Sequence, residues 1–416
     1  MATEGKPKVS RRDFLFKTGR AAAGVAAAEL AATLPRSSAQ QPGTWVCPCC
    51  GRAVDTAEAL QAHIAEHQRR LPTIRRVQRP TYDPYLVGPI ERFDQKDEVF
   101  CRSVWDETLW HRLASVAPKA ASEAMHMRAI EGAASVAGAL WVEVKAASLV
   151  PGYAGYDGHV QGADGLYTWD DPVNTDKLSL SSAAETSAMI KKVARLYGAD
   201  LVGICELDER WVYSNYFDYT TGEAGPLQVP YKYAIVMGIE MNREGIEQSP
   251  RWEASAATAL AYSRMAELAP SLAKYIRALG YPAVPSGNDT AQSIPLAIDA
   301  GLGELGRNGL LITPQFGPRQ RLCKVFTDIP LQPDRPIDFG LQAFCERCNA
   351  CTWNCPAGAI RQGARTTEVT AISNRKGLLR WPVDVTSCFI FWAENGCDCS
   401  NCIKACPWSK AQRLWL

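Results

Sequence analysis

Apolar residues recur along the middle of the chain in two rhythms. From Ala183 to Tyr197 they return at helical spacing, and the pattern stops at Gly198. Leu201-Val202-Gly203-Ile204-Cys205 follows as an apolar run with no polar break, which suits a strand buried on both faces. Tyr233 to Met241 reads as a second strand of this kind. Trp252 to Leu279 carries a long amphipathic helical pattern closed by Gly280-Tyr281-Pro282, and Ile294 to Ala300 is helical again. Alternation of this kind predicts a mixed α/β (α+β) core. Apart from the cysteine runs described below, no internal repeat is present.

The flanks break both rhythms. Residues 69 to 95 are rich in Arg and Pro (Arg69, Arg70, Arg75, Arg76, Arg79, Pro80, Pro84, Pro89) and read as an extended arm. Near the start, Ser10-Arg11-Arg12-Asp13-Phe14-Leu15-Phe16-Lys17 is a twin-arginine export signal, followed by an alanine-rich stretch from Ala21 to Leu34. That stretch is short for a membrane span and contains Glu29. Ser37-Ser38-Ala39 offers a small-residue cleavage site. The expected organisation is a signal over 1–39, a small metal-binding knuckle over 40–70, the arm over 71–94, a catalytic core over 95–335 and a cysteine-rich module over 336–416. Twin-arginine export carries folded proteins, so the expected location is the periplasm or the outer face of the cytoplasmic membrane.

Charge and composition narrow the chemistry. Lys and Arg number 45 against 44 Asp and Glu, a net charge of +1, which argues against nucleic acid as a partner. Only five histidines occur, none after His159, so a histidine-based mechanism in the latter part of the chain is excluded. Cysteines number 15, a count that in an exported protein usually means disulfides. Here most are better explained as metal ligands.

Cys345-x2-Cys348-x2-Cys351-x3-Cys355-Pro356 is the bacterial ferredoxin run that holds [4Fe–4S] clusters. Cys399-x2-Cys402-x3-Cys406-Pro407 repeats most of it. In two-cluster ferredoxins the fourth cysteine of each run ligates the other cluster. One set is then Cys345, Cys348, Cys351 and Cys406, and the other is Cys355, Cys399, Cys402 and a remote donor. Cys388 and Cys397 compete for that place. Cys388 is preferred, because Cys397 is too close to Cys399 for both to reach one cubane easily. A pair of zinc sites is the bland alternative, and the Cys-Pro register disfavours it.

Cys47-x2-Cys50-x12-His63-x3-His67 has the spacing of a Cys2His2 zinc finger, with Trp45, Val54 and Leu60 as supporting apolar residues. Two histidines four apart share a helix face, as a common metal requires. DNA reading does not follow. The base-reading positions fall near Thr56, Ala59 and Ala62, and Asp55, Glu58 and Glu66 repel phosphate. A structural or docking knuckle holding zinc is expected, with Cys49 a spare thiol.

Between the long helix and the cysteine runs stand Pro285-Ser286-Gly287-Asn288-Asp289-Thr290, then Gly301-Leu302-Gly303-Glu304-Leu305-Gly306-Arg307-Asn308-Gly309-Leu310-Leu311-Ile312, then Arg321-Leu322 and Val325 to Leu331. With the twin-arginine start and the double cysteine run, this succession resembles the corrinoid-dependent reductive dehalogenases from about residue 95 onward. The resemblance implies a nitroreductase-like core binding cobalamin base-off, and a ferredoxin-like C-terminal module with two [4Fe–4S] clusters. It implies an organohalide substrate, an external electron donor and a small membrane anchor protein. It sets the corrinoid against Ser286, Gly287 and Asn288 and against Gly306, Arg307 and Asn308. By position it makes Tyr262 the proton donor, Arg321 the basic residue beside it and Asn288 a pocket residue, with Arg319 the rival of Arg321. Glycines do let backbone approach a planar cofactor closely. Gly301 to Gly309 is no dinucleotide fingerprint, however, because it follows helical sequence rather than a strand.

Replacing carbon–halogen by carbon–hydrogen needs two electrons and a proton. A tyrosine loses its proton near pH 10 unassisted, and a neighbouring arginine lowers that value. Asp157-x-His159-x-x-Gly162 matches a short histidine motif of cobalamin enzymes but is read as coincidence, since the chain has no Gly-Gly pair. The competing readings are an epoxyqueuosine-reductase-like enzyme, an electron-transfer ferredoxin and a binding module built on the knuckle. Cys323 and Cys397 are left without a role.

Overall fold

The computed structural model describes residues 45–46, 53–69, 73–116, 172–217 and 222–410. The signal segment, His159 and the tail beyond residue 410 lie outside the described residues. Two compact units divide at Arg70 and Leu71.

In the first unit, strands β1 (Trp45–Val46) and β2 (Ala53–Val54) pair antiparallel, with Trp45 opposite Val54. Helix α1 (Ala57–Arg69) follows, its first turn capped by Thr56, whose hydroxyl accepts from the Ala59 amide at 3.0 Å. Leu60 is buried against the hairpin and His63 is half-buried. The order of this unit is ββα. Cys47, Cys50 and the His67 side chain are outside the described residues.

The second unit opens with β3 (Arg75–Arg76), α2 (Val99–Trp105) and α3 (Glu107–Ala114). Helix α4 (Ala183–Leu196) starts at Ser182, whose hydroxyl accepts from the Glu185 amide at 3.2 Å while reaching the Glu185 carboxylate. It ends where Gly198 turns at φ 102°. Thr186, Ile190 and Ala194 form its buried stripe.

The core sheet consists of β4 (Leu201–Glu206), β7 (Tyr233–Glu240), β8 (Ala283–Ser286) and β11 (Gln320–Thr327) in the order β4-β7-β11-β8. Every pairing is antiparallel, where alternating helix and strand suggests parallel neighbours. For β7, β8 and β11 the reason is insertion. After a helical crossover β7 and β8 run parallel to each other, and β11, arriving later in the chain, lies antiparallel between them. A small hairpin of β5 (Asn215–Phe217) and β6 (Ala224–Pro226) precedes β7.

Both faces of the sheet are buried, and side chains alternate between them with the period of two that a strand imposes. Val202, Ile204, Ile235, Met237, Cys323 and Val325 join the core formed with α4 and with α6 (Trp252–Ala278). Leu201, Cys205, Ala234, Val236 and Phe326 join the opposite core with α7 (Ser293–Asp299). Cys323, unexplained from sequence, is a fully buried packing residue. Helix α6 follows the short α5 (Arg243–Glu247) and tolerates Pro270 in its interior. It ends at Gly280, which has φ 86° and whose added Cβ would lie 2.7 Å from the Lys177 backbone.

Strands β9 (Glu304–Leu305) and β10 (Leu311–Ile312) form a hairpin. Strand β12 (Ile337–Asp338) pairs with β3 of the arm. The cysteine segment then unfolds as short helices: α8 (Leu341–Arg347), α9 (Ala350–Trp353), α10 (Val385–Asn395), α11 (Asn401–Lys404) and α12 (Pro407–Lys410). Helices α8 and α12 share a core in which Ile312 and Phe339 pack with Leu341, Cys345, Trp381 and Trp408. No described helix is long and apolar enough to cross a membrane.

Candidate active site

Tyr262, Asn288 and Arg321 come from three different elements and meet. Tyr262 lies in the middle of α6, Asn288 in the turn after β8, and Arg321 on the β11 face that looks toward α6. The Asn288 amide nitrogen donates to the Tyr262 hydroxyl oxygen at 2.8 Å. The Arg321 guanidinium carbon sits 3.9 Å from the centre of the Tyr262 ring, a cation–π contact. Burial pushes the Arg321 pKa down to about 10, opposed by the Asp398 charge, so it remains a cation at neutral pH. Asn288 is exposed while its neighbours from Pro285 to Thr290 are buried, so its side chain alone leaves the turn.

That turn is tightly determined. Asp289 accepts from the Gly287 amide at 2.8 Å and the Thr290 hydroxyl at 2.7 Å, and Ser286 donates to the Asp289 carbonyl at 3.0 Å. Thr290 adopts φ 66°, a strained value for a β-branched residue, of the kind that clusters at functional sites. Ser286 and Gly287 are thus buried scaffold for Asn288.

Arg319, the rival cation, spends its contacts elsewhere than on Tyr262. It is fully buried, donates to the Glu240 carboxylate and, at 2.9 Å, to the Met241 carbonyl. Its Nε and Nη2 are buried without a protein partner, as is Nδ2 of Asn308. These donors are available to a bound group.

The glycine-rich segment has a role that spacing did not reveal. Glu304 is fully buried and accepts from the Phe339 amide at 2.9 Å, the Leu341 amide at 3.4 Å and the Gln342 side chain at 3.2 Å, at the start of α8. Arg307 commits all five of its N–H groups to carbonyls: Cys345 (twice), Glu346, Arg361 and Gly363. An acid therefore meets the N-terminus of α8 and a base its C-terminus, the arrangement the helix dipole favours. Arg307 has no donor left for a cofactor. Gly303 and Gly306 are required by the hairpin itself, where an added Cβ would meet Ile312 atoms at 2.2 and 2.7 Å. Of the second motif, Asn308 alone offers a free polar atom.

The thiols fall into two sets. Burial, then Cys348 and Cys351, push the Cys345 thiol up to about 12. Burial, then Cys345, Cys351 and Cys348, raise Cys406. The second set behaves alike: burial, then Cys355 and Cys399, push Cys388 up to about 12. Burial, then Cys388, Cys351, Cys399 and Cys355, raise Cys402, so the two sets also feel each other. Cys397 has contacts of its own. It is buried, with its sulfur 3.6 Å from the Pro250 carbonyl and 3.3 Å from the Asn395 amide nitrogen. Among the described residues no group of three His, Cys, Asp or Glu side chains is arranged for a single ion.

The second set is tied to the tyrosine helix. Ser400 donates its amide to Ser249 at 2.8 Å, Lys404 donates to the Ser249 carbonyl at 3.1 Å, and Asn395 donates to the Pro250 carbonyl at 2.7 Å. Those acceptors lie just before α6. Cys402 and Tyr262 pack against the same core.

No protein-family model matches the chain. Over 280 residues it is 38% identical to the tetrachloroethene reductive dehalogenase of Sulfurospirillum multivorans, covering 59% of this chain and 54% of that protein. A solved reductive dehalogenase, studied for a mechanism of B12-dependent dehalogenation, superposes with TM-score 0.59 at 26% identity, over 83% of this chain and 46% of that one. A shorter match, 33% identical over 132 residues, joins 30% of this chain to 32% of an epoxyqueuosine reductase from Bacillus cereus.

Over the matched segment the chain is similar to reductive dehalogenases in sequence and in fold. It spans about half the length of the curated relatives it matches, at 54% and 53% of two of them.

Proposed function

We propose that this chain catalyses reductive dehalogenation, in which an organohalide, two electrons and a proton give the hydrocarbon and halide. The convergence of Asn288 and Arg321 on Tyr262 carries this reading. The Asn288 N–H points at the tyrosine oxygen, so the tyrosine's own proton is directed elsewhere. When Tyr262 gives that proton to carbon, the phenolate left behind keeps the Asn288 donor and lies beside the Arg321 cation. Both stabilise the charged form and so make Tyr262 a usable acid at neutral pH.

A corrinoid, when bound, supplies the low-valent cobalt that removes halogen from carbon, and two [4Fe–4S] clusters supply its electrons. Buried donors of Asn308 and Arg319 without protein partners, and the exposed amide of Asn288, suit its polar rim. No histidine is called on to ligate cobalt, which accords with base-off binding. The mutual electrostatics of the thiols support the crossed assignment: Cys345, Cys348, Cys351 and Cys406 hold one cluster, and Cys355, Cys388, Cys399 and Cys402 the other. On this reading residues 95–335 are the nitroreductase-like core and 336–416 the ferredoxin-like module. The ββα unit holds zinc through Cys47, Cys50, His63 and His67. Export by the twin-arginine signal delivers the protein to the outer face of the cytoplasmic membrane, where a small anchor protein and an external electron donor meet it.

The test is anaerobic reconstitution with iron, sulfide and cobalamin, followed by halide release from a panel of chloroethenes with a low-potential donor. Cobalamin-dependent chloride release is expected. A reconstituted protein that retains no corrinoid overturns the proposal. Turnover of epoxyqueuosine in a tRNA stem loop, with no halide release, would favour the second relative's chemistry instead.

A further inference from the structure

The β11 strand serves the tyrosine from both of its faces. Arg321 lies on the α6 face and stacks on the Tyr262 ring. Three residues on, Lys324 points to the opposite face, is fully buried, and pairs in register with Ser286 of β8. Its ammonium donates to the Gly287 carbonyl and, at 3.1 Å, to the Ser293 hydroxyl at the start of α7. Gly287 is therefore held at both ends of its peptide geometry: its N–H by Asp289 at 2.8 Å and its C=O by Lys324. Asn288, the next residue, is the one whose amide reaches Tyr262.

A buried ammonium is costly, and it persists only where its partners repay the desolvation. Burial pushes Lys324 down to about 8, opposed by Asp289, Cys323 and Glu98. Glu98 in turn accepts from the Tyr213 hydroxyl, and the Tyr213 amide donates to the Thr290 carbonyl at 3.0 Å. A polar network thus lies beneath the Asn288 turn.

We propose that Lys324 is a positioning residue: through the Gly287 carbonyl it fixes the Asn288 amide on the Tyr262 oxygen, and so sets how readily Tyr262 gives up its proton. The role of Tyr262 as the acid rests on the function proposed above; the geometry of the link does not. Facing Tyr262 is the Arg321 cation from β11, and facing Lys324 are Asp289 from the turn and Glu98 from before α2.

The experiment places 3-fluorotyrosine at position 262 of the full chain and follows its 19F shift against pH, without turnover. Asn288→Ala removes the donor and is expected to raise the Tyr262 midpoint by about one unit, since a hydrogen bond to the phenolate favours it. Lys324→Met is expected to raise it by a similar amount, and the double variant no further than either alone. Ser293→Ala, which removes one of the two ammonium acceptors, is expected to give a smaller shift of the same sign. That variant decides the matter if Lys324→Met does not fold. A midpoint unmoved by Lys324→Met or by Ser293→Ala overturns the proposal, as do additive shifts in the double variant. Halide release by Tyr262→Phe, measured separately, reads the acid assignment on its own: undiminished turnover there sinks that assignment while leaving the titration result standing.

Discussion

The cysteine array and the tyrosine pocket are both assembled from distant parts of the chain, yet they are encoded differently. Seven of the eight assigned thiols lie within two runs of fixed spacing. Their order depends on outside braces, Glu304 and Arg307 at the two ends of α8 and Ser249 beneath Ser400. The tyrosine pocket has no local run at all. Tyr262, Asn288 and Arg321 stand on a helix, a turn and a strand, and a two-sided apolar core holds them. Cysteine spacing is a local constraint that leaves a local signature, whereas a cluster of side chains from a helix, a turn and a strand is a tertiary one.

The eighth thiol gives the largest expected effect. Cys388→Ser should lower anaerobically reconstituted iron from about eight to about four per chain, while Cys397→Ser should leave about eight. Iron analysis with EPR of the reduced protein reads this, and equal loss in both variants would merge the array's local and remote ligands.

A smaller effect is expected at the pocket's cation. Arg321→Met should reduce halide release on the order of 100-fold with clusters and corrinoid retained, because the developing phenolate loses its neighbouring charge. Arg319→Met should act instead on stability or corrinoid content, since its contacts are with Glu240 and Met241. The reverse pattern would restore Arg319 as the partner of Tyr262.

The smallest effect separates the pocket's scaffold from its chemistry. Burial pushes Glu98 up to about 7 from 4.5, so the folded protein keeps a proton that the unfolded chain releases. Its contribution to stability is full below the unfolded value and is lost as pH rises through about 7. Denaturant titrations should show that decline between pH 5 and 7 in the wild type, and Glu98→Gln should flatten it.

Much of the scaffold is written in the sequence. The helix over Ala183–Leu196, the strands at Leu201 and Tyr233 and the long helix to Ala278 fall within a residue or two of their patterns, because burial on one stripe or both faces dictates composition. The antiparallel sheet was not legible, since inserting β11 between β7 and β8 is a choice of topology that no local pattern records. The glycine-rich segment misled for a related reason. Its glycines suggest a cofactor's plane, but they make room for Ile312, and Arg307 is spent on carbonyls of the cysteine segment. Lys324 carried no signal either: a lone lysine among Cys323, Val325 and Phe326 reads as an interruption until its amine is seen under Gly287.

In the proposed function Tyr262 supplies the proton in a corrinoid-dependent carbon–halogen reduction. Halide release by Tyr262→Phe, reconstituted anaerobically and matched to wild type in iron and corrinoid content, tests it most directly. A fall of about 100-fold or more at unchanged cofactor content is the predicted result; turnover equal to wild type at the same loading would contradict the claim.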